Sequence, residues 1–369
     1  MSKIHVLHIT YDMRIGGTEM VIKNIIDGRD KTKYKMSVLC LESPLGPFAE
    51  ELQKDGISFF ELTRQPGFDI NLIRNIRQTI KTNQVDLIHC HQYTPWVYGV
   101  MAAALTKTKV IFTEHGRFHP DSSSWKRKFI NPVLNFFTDQ VTAISKATKH
   151  ALVEFEHLPE KSINVIYNGI APLKVAPYAV KQLRAELKIP DNHTILGTVA
   201  RFDPIKNHIM MLKAFAQVLK KYPQTTLIMV GDGEERVKIE SCINALSLQE
   251  NVILTGYKPK PENYLALMDI YLLSSLSEGT SMTLLEAMSL GKPCVVTDAG
   301  GNPEIVQNNE NGIVTPNDNR EMFAQGIVRV IAENRNNLGK ASKARFEQRF
   351  SESKMNRQYQ DLYQRLKTH

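Results

Sequence analysis

Short β-branched runs alternate with longer amphipathic stretches along this chain, and the alternation breaks near residue 170 and then restarts. The first series of strand-like runs is IHVLHIT (4–10), KMSVLCL (35–41), DLIHCH (86–91), KVIFTEH (109–115) and QVTAIS (140–145). Helical periodicity lies between them, as in EMVIKNIID (19–27) and INLIRNIRQTIK (70–81). The interruption falls around NVIYNGIAP (164–172) and a proline-containing linker, APLKVAPYAV (171–180). The second series is HTILGTVAR (193–201), TTLIMVG (225–231), NVILTG (251–256), DIYLLSS (269–275) and KPCVVTD (292–298), with helices expected near 206–221, 234–246, 283–290 and 319–334. Strands that alternate with helix-length segments are parallel strands joined by crossovers. The expectation is therefore an α/β chain of two Rossmann-like, doubly wound domains, 1–172 and 173–351. A C-terminal amphipathic helix over 352–369 is expected to pack back on the first.

A length of 369 residues suits two such domains. Residues 1–170 carry 21 basic and 17 acidic side chains and the remainder 25 and 21, so each part contributes +4 to the net +8. That excess favours an anionic partner, such as a phosphate-bearing substrate or an acidic lipid surface. No polybasic tail or aromatic-interleaved basic run marks a nucleic-acid module, and no nucleic-acid partner is expected. The four cysteines, Cys40, Cys90, Cys242 and Cys294, form no C-x-x-C pair, which fits a reducing compartment. The first residues read as a strand, not as a secretory leader, and no apolar run reaches the ~18 residues of a membrane span. A cytoplasmic protein is expected, with a place on the inner face of a membrane left open.

In doubly wound folds ligands sit at the carboxyl ends of strands, so strand-end residues are the candidates. Gly16 and Gly17 follow the first strand and open a helix, where backbone can approach an anion closely. A plain strand-to-helix turn is the equal alternative, and the absence of G-x-G-x-x-G disfavours a nicotinamide cofactor. His89 reads as a packed strand histidine, whereas His115 reads as a residue of the ligand cleft. A metal is not expected, because His89 and His91 share one strand without a carboxylate-rich partner motif. Arg201 ends a strand and Lys206 begins the next helix, a natural diphosphate clamp, although taken alone the pair reads first as two solvated cations. Gly231 stands in a Gly-Asp-Gly turn. LSEGTSMTLLEAMSLGKP (276–293) holds Glu278 on a loop and Glu286 in a helix. Thr283-x-x-Glu286 also matches a capping box, which would tie Glu286 to its own helix.

Together IGGTEM, DLIHCHQ, TEHG, ISKA, VIYNGI, VARFDPIKNH, VGDGE, SEGTSMTLLEAMSLGKPCVVTDAGGNPEIV and NGIVTP resemble the retaining glycosyltransferases of family 4, with the GT-B fold. The resemblance spans nearly the whole chain. It implies two domains facing across a cleft and transfer of a hexose or N-acetylhexosamine from a nucleoside-diphosphate sugar, UDP favoured. The acceptor hydroxyl would belong to a glycan or lipid-linked glycan of cell-surface polysaccharide synthesis. It implies catalytic roles for Arg201, Lys206, Glu278 and His115, the cations on the donor diphosphate, Glu278 on sugar hydroxyls and His115 toward the reacting sugar. Glu286 would hold the nucleotide ribose. Gly16, Gly17, Gly231, Tyr257, Gly279, Thr280, Ser281, Met282 and Thr283 complete the expected substrate-binding set. No Asp-x-Asp element is present, so no metal or other cofactor is expected. Thr280-Ser281-Met282 departs from the aromatic or Pro-Gly pair that many members carry, so the sugar itself is not carried over.

Two segments are candidates for an anionic leaflet, 62–83 with Arg74, Arg77 and Lys81, and the aromatic stretch of Trp125, Phe129 and Phe136 around Lys126, Arg127 and Lys128. Either could instead be an ordinary surface helix. Competing functions are a nucleotide-sugar 2-epimerase of the same fold and a noncatalytic nucleotide-sugar binding module.

Overall fold

The computed structural model describes residues 3–116, 124–332 and 335–368. The end of the TEHG motif's following stretch, from Arg117, and the serines before Ser124 lie outside the described residues. The chain divides into two units, residues 1–169 with 352–369, and residues 170–351.

The first unit is built on seven parallel strands: β1 (Ile4–Thr10), β2 (Tyr34–Cys40), β3 (Ser58–Glu61), β4 (Leu87–His91), β5 (Lys109–Glu114), β6 (Gln140–Ala143) and β7 (Ile163–Val165). Their order is β3-β2-β1-β4-β5-β6-β7. Among the described residues six helices alternate with them: α1 (Gly17–Asp27), α2 (Pro47–Lys54), α3 (Ile70–Thr82), α4 (Tyr93–Ala103), α5 (Trp125–Phe136) and α6 (Lys146–Glu154). Every residue of β1 is buried, as expected of a central strand covered on both faces. Trp96 stacks on Phe112 in the core, with ring centroids 4.4 Å apart, and its indole N–H donates to Thr138 Oγ1 at 2.9 Å.

The second unit has six parallel strands: β8 (Thr194–Val199), β9 (Thr225–Val230), β10 (Val252–Gly256), β11 (Ile270–Leu273), β12 (Cys294–Thr297) and β13 (Gly312–Thr315). Their order is β10-β9-β8-β11-β12-β13. The helices are α7 (Pro177–Glu186), α8 (His208–Lys221), α9 (Arg236–Ala245), α10 (Glu262–Leu267), α11 (Met282–Ser289), α12 (Asn302–Ile305), α13 (Arg320–Ala332) and α14 (Arg335–Arg349). In each unit the strand order reverses beside its first strand, between β1 and β4 and between β8 and β11. That crevice is where an open α/β sheet holds ligands.

The last helix, α15 (Glu352–Thr368), belongs to the first unit. Asn356 Nδ2 donates to the Asn24 carbonyl at 3.1 Å, over Gly28, where a Cβ would meet that amide at 1.8 Å. Tyr34 donates its hydroxyl to the Gln360 carbonyl at 2.9 Å, and Tyr363 Oη lies 2.8 Å from His89 Nδ1.

Candidate active site

Three of the expected residues of the second unit, Arg201, Lys206 and Glu278, gather at the crevice between β8 and β11. After β8 the chain passes Arg201 and makes a tight turn at Pro204–Lys206 before α8. Asp203 organises this turn. Its carboxylate accepts from the Lys206 backbone N–H at 3.1 Å and from Arg201 Nε at 2.9 Å. Arg201 remains largely exposed, its side chain 76% accessible. After β11, Ser274 Oγ donates to the Lys206 carbonyl at 2.7 Å, and the Leu276 N–H donates to the Ile205 carbonyl at 2.7 Å. The two strand-end loops are thus stitched together. The result is an ion pair between Lys206 Nζ and Glu278 Oε1 at 2.6 Å, the same oxygen accepting from Ser275 Oγ at 2.6 Å. The Glu278 side chain is only 8% accessible, so this carboxylate is held rather than solvated.

Loop 299–301 presses on Glu278 from behind. Gly300 has φ +52°, a Cβ there would meet the Glu278 carbonyl at 1.9 Å, and Gly301 N–H donates to that carbonyl at 3.1 Å. These glycines therefore serve the placement of Glu278. Gly231 has a similar local reason, since a Cβ would meet the Ala200 carbonyl at 1.9 Å. Gly279 and Thr280 are half-buried on the loop, Met282 is half-buried at the start of α11, and Tyr257 is exposed beyond β10.

The expected capping box is not formed. Ser281 is the N-cap of α11 and accepts the Leu284 N–H at 3.3 Å. Thr283 turns its hydroxyl to Tyr271 Oη, 2.7 Å away. With Ser281 as the N-cap, the residue placed to reach back to a free N–H is Leu284, and Glu286 lies two positions too late. Its Oε2 is buried and has no partner among the described residues. Burial, with a smaller contribution from Glu262, pushes the carboxyl up to about 7. A half-buried carboxylate without a donor is costly to the fold, and an external donor would relieve it.

In the first unit, Gly16 is the extended N-cap of α1 (φ −160°) and Gly17 opens the helix. A Cβ on Gly17 would meet nothing within 4 Å, so neither backbone conformation nor packing inside the chain explains its lack of a side chain. His89 is fully packed, with Nδ1 on Tyr363 and Nε2 2.6 Å from Thr113 Oγ1. His115 lies 2.8 Å from His91 through its Nε2. His8, 83 positions earlier, completes the group and was not singled out by sequence reasoning. His8, His89 and His91 have ring nitrogens within 4.8 Å of one another. Both nitrogens of His89 are already engaged, so a metal held through either one would have to displace a buried hydrogen bond. Asp203 and Ser275 were also missed; Arg201-x-Asp203-x-x-Lys206 was the available signal for the first.

Two family models match the chain: one described as glycosyltransferase family 4 over residues 15–172, the other as glycosyl transferases group 1 over residues 180–345. The chain is 26% identical over 345 residues to an Escherichia coli UDP-Gal:alpha-D-GlcNAc-diphosphoundecaprenol alpha-1,3-galactosyltransferase, covering 89% of this chain and 88% of the relative. It is 24% identical over 319 residues to a Bacillus anthracis N-acetyl-alpha-D-glucosaminyl L-malate synthase, covering 83% and 82%. Among solved structures, a glycosyltransferase from Rickettsia africae ESF-5 superposes with a TM-score of 0.89 at 21% identity, covering 99% of both chains. Anabaena HepE in complex with UDP gives 0.87 at 25% identity, covering 97% of this chain and 99% of that one. With a strand-end ion pair at the switch point, two Rossmann-like sheets of GT-B type and family models over both halves, this chain is a glycosyltransferase and belongs to the group 1, family 4 glycosyltransferases.

Proposed function

We propose that the enzyme moves a hexosyl or N-acetylhexosaminyl group, with retention and without a metal ion, from a UDP-sugar to a hydroxyl of a lipid-linked glycan. The observation that carries this reading is the Lys206–Glu278–Ser275 cluster at the β8/β11 crevice, beside a helix start and the unpartnered Glu286. HepE, 25% identical, was crystallised with UDP and with UDP-glucose, and the galactosyltransferase relative is named for a UDP donor and a diphosphoundecaprenol acceptor.

In the proposed reaction the bond from the anomeric carbon to the diphosphate oxygen breaks through an oxocarbenium-like transition state. Negative charge grows on the leaving phosphate. Lys206, Arg201 and the positive end of α11 stabilise that charge more in the transition state than in the ground state. The acceptor oxygen bonds to the anomeric carbon on the face the phosphate leaves, and the acceptor proton passes to the departing phosphate oxygen. Glu278, pinned by Lys206 and Ser275, orients sugar hydroxyls and does not attack. Glu286 accepts from the ribose hydroxyls. Acceptor recognition falls to the first unit, through His115, and Gly17 leaves the start of α1 open to close approach by an anionic ligand.

The first unit also carries the proposed membrane contact. Along α5, Trp125, Phe129, Val133 and Phe136 form an exposed stripe, with accessibilities of 72, 67, 58 and 82%, flanked by exposed Lys126 and Lys128. Trp and Phe beside lysines suit the interface of an anionic bilayer. A peripheral position on the cytoplasmic leaflet would bring a lipid-linked acceptor to the unit that holds His115.

The test is a thermal-shift screen of UDP-, GDP- and ADP-sugars, followed by product analysis with a polyprenyl-diphosphate-linked sugar acceptor. Stabilisation by UDP-sugars and an α-linked product from an α-linked donor are expected. A covalent glycosyl adduct on Glu278 would overturn the same-face mechanism, and turnover abolished by EDTA and restored by a divalent ion would overturn metal independence.

A further inference from the structure

Three imidazoles from three neighbouring strands form one hydrogen-bonded column in the first unit. His8 stands on β1, His91 on β4 beside it, and His115 one residue past β5. His8 Nδ1 lies 3.0 Å from His91 Nε2, and His91 Nδ1 lies 2.8 Å from His115 Nε2. His8 and His91 are fully buried. The two ends of the column, His8 Nε2 and His115 Nδ1, are shielded and have no partner among the described residues.

A neutral imidazole has one N–H and one lone pair. Each ring must therefore donate on one side and accept on the other, and all three must point the same way. Only two registers exist. In one, every proton is on Nε2, which leaves an N–H of His8 buried without an acceptor and a bare lone pair on His115. In the other, every proton is on Nδ1, which leaves a lone pair on His8 and an N–H on His115. Either register leaves one shielded N–H without a protein acceptor, and it costs most where nothing can reach it: His8 is wholly buried within β1, whereas His115 is half-buried one residue past β5, at the strand end where a ligand oxygen can accept. We infer that His8 and His91 are positioning residues that hold His115 as a neutral imidazole protonated on Nδ1, so that it meets a substrate oxygen as a hydrogen-bond donor and not as a base.

Neutrality follows from the surroundings. A proton added to the column would place a cation where water cannot reach it, and burial holds His8 and His115 down to about 3 and His91 well below its usual value. His89 adds no alternative proton acceptor, since both its nitrogens are engaged. The tautomer stands on the column alone; only the identity of the oxygen it meets, a hydroxyl of the sugar or of the acceptor, rests on the proposed transferase reaction.

The column is tested in the ligand-free, full-length protein labelled with 15N-histidine. Long-range proton–nitrogen correlations near neutral pH report which ring nitrogen carries the proton, with His115 assigned by the signal lost in His115→Asn. Protonated Nδ1 and bare Nε2 at His115 are expected. A proton on Nε2, or on both nitrogens, overturns the inference, whatever the donor or acceptor proves to be. His8→Phe removes the end of the column and should leave His115 as a tautomer mixture, with kcat down about tenfold, the size of one oriented hydrogen bond, and donor KM little changed. His8→Asn, whose amide can donate to His91 Nε2, should recover most of that loss. Equal loss in the two variants at unchanged thermal stability overturns the positioning role. If His8→Phe does not fold, the spectrum of the unsubstituted protein still decides.

Discussion

At the scale of single residues, Glu286 connects stability to binding. Its carboxyl, ordinarily near 4.5, is raised to about 7 by burial. Between those values the folded protein holds a proton that the unfolded chain has released, so stability falls as pH rises through the window and the penalty is complete above about 7. Glu286→Gln removes the penalty. Its melting temperature should exceed that of the parent at about pH 8, by the equivalent of roughly 1–3 kcal/mol, and the gap should close below about pH 4.5. The same variant should bind UDP at least about tenfold more weakly, because the charged acceptor for the ribose hydroxyls is gone. A variant that loses stability at high pH, or binds UDP unchanged, would count against the ribose role. Lys206→Ala acts oppositely. It strands the shielded Glu278 carboxylate on Ser275 alone and should cost roughly 1–3 kcal/mol in denaturant unfolding. Adding Glu278→Gln should recover part of that loss, the signature of a direct pair in a double-mutant cycle. The two glutamates and two cations were legible because their spacing sits at strand ends. Asp203 and Ser275 were less so, since their value lies in where they hold Lys206 and Glu278. The capping-box match misled because a hydroxyl two residues upstream, Ser281, captured the helix start. His8 carried no local signal at all, because its partner stands 83 residues away.

At the scale of elements, the two proposed membrane segments part company. The apolar stripe of α3, Leu72, Ile76 and Ile80, is buried in its own unit, and Arg77 is spent on the carbonyls of Met101, Ala102 and Ala104 at the end of α4. On α5 the division runs the other way. Asn131 and Leu134 face inward while the aromatic stripe stays outside. Arg127 is not a headgroup contact either, since it pairs with Glu156 at 2.7 Å and lies over the Tyr93 ring. That leaves Lys126 and Lys128 for an acidic surface. Replacing Trp125, Phe129 and Phe136 with serine should abolish flotation with phosphatidylglycerol-containing vesicles and leave the melting temperature within about 1–2 °C, because exposed side chains contribute little to the fold. Reversing Lys126 and Lys128 to glutamate should weaken binding most at low salt. Flotation equal to the parent in both variants would remove α5 as the docking face. The helix itself was readable from its period, but burial of one face and exposure of the other depend on what packs beneath it. The strands missed in the sequence, β3, β7 and β13, are three or four residues long and stand at sheet edges, where the continuous apolar run of a strand covered on both faces is not required.

At the scale of the whole molecule, the repeated alternation fixed the two parallel sheets, because parallel neighbours require crossovers and crossovers impose the helix-length gaps. The final helix shows the limit of such reading. Its amphipathic pattern marks α15 as a helix, but Asn24, Gly28 and His89, which bind it to the first unit, lie hundreds of residues earlier. The division also sets an expectation for unfolding. Each unit has its own apolar core and its own sheet, so heating should resolve two components instead of one cooperative transition. UDP placed on Arg201, Lys206, α11 and Glu286 engages side chains of the second unit, and at about a hundred times its Kd it should stabilise that component by about 2.7 kcal/mol. Hydrogen exchange read peptide by peptide locates the effect. New protection is expected over 201–208 and 275–290, while α15 and β4, joined through Tyr363 and His89, should exchange as in the free protein. Tyr363→Phe supplies the complementary arm. It leaves His89 Nδ1 buried without its partner, and should lower the component of the first unit alone by roughly 1–3 kcal/mol. UDP protection confined to the first unit would reverse the donor assignment, because the ligand would then be held by the sheet that carries His115 and not by the one that carries the Lys206–Glu278 pair.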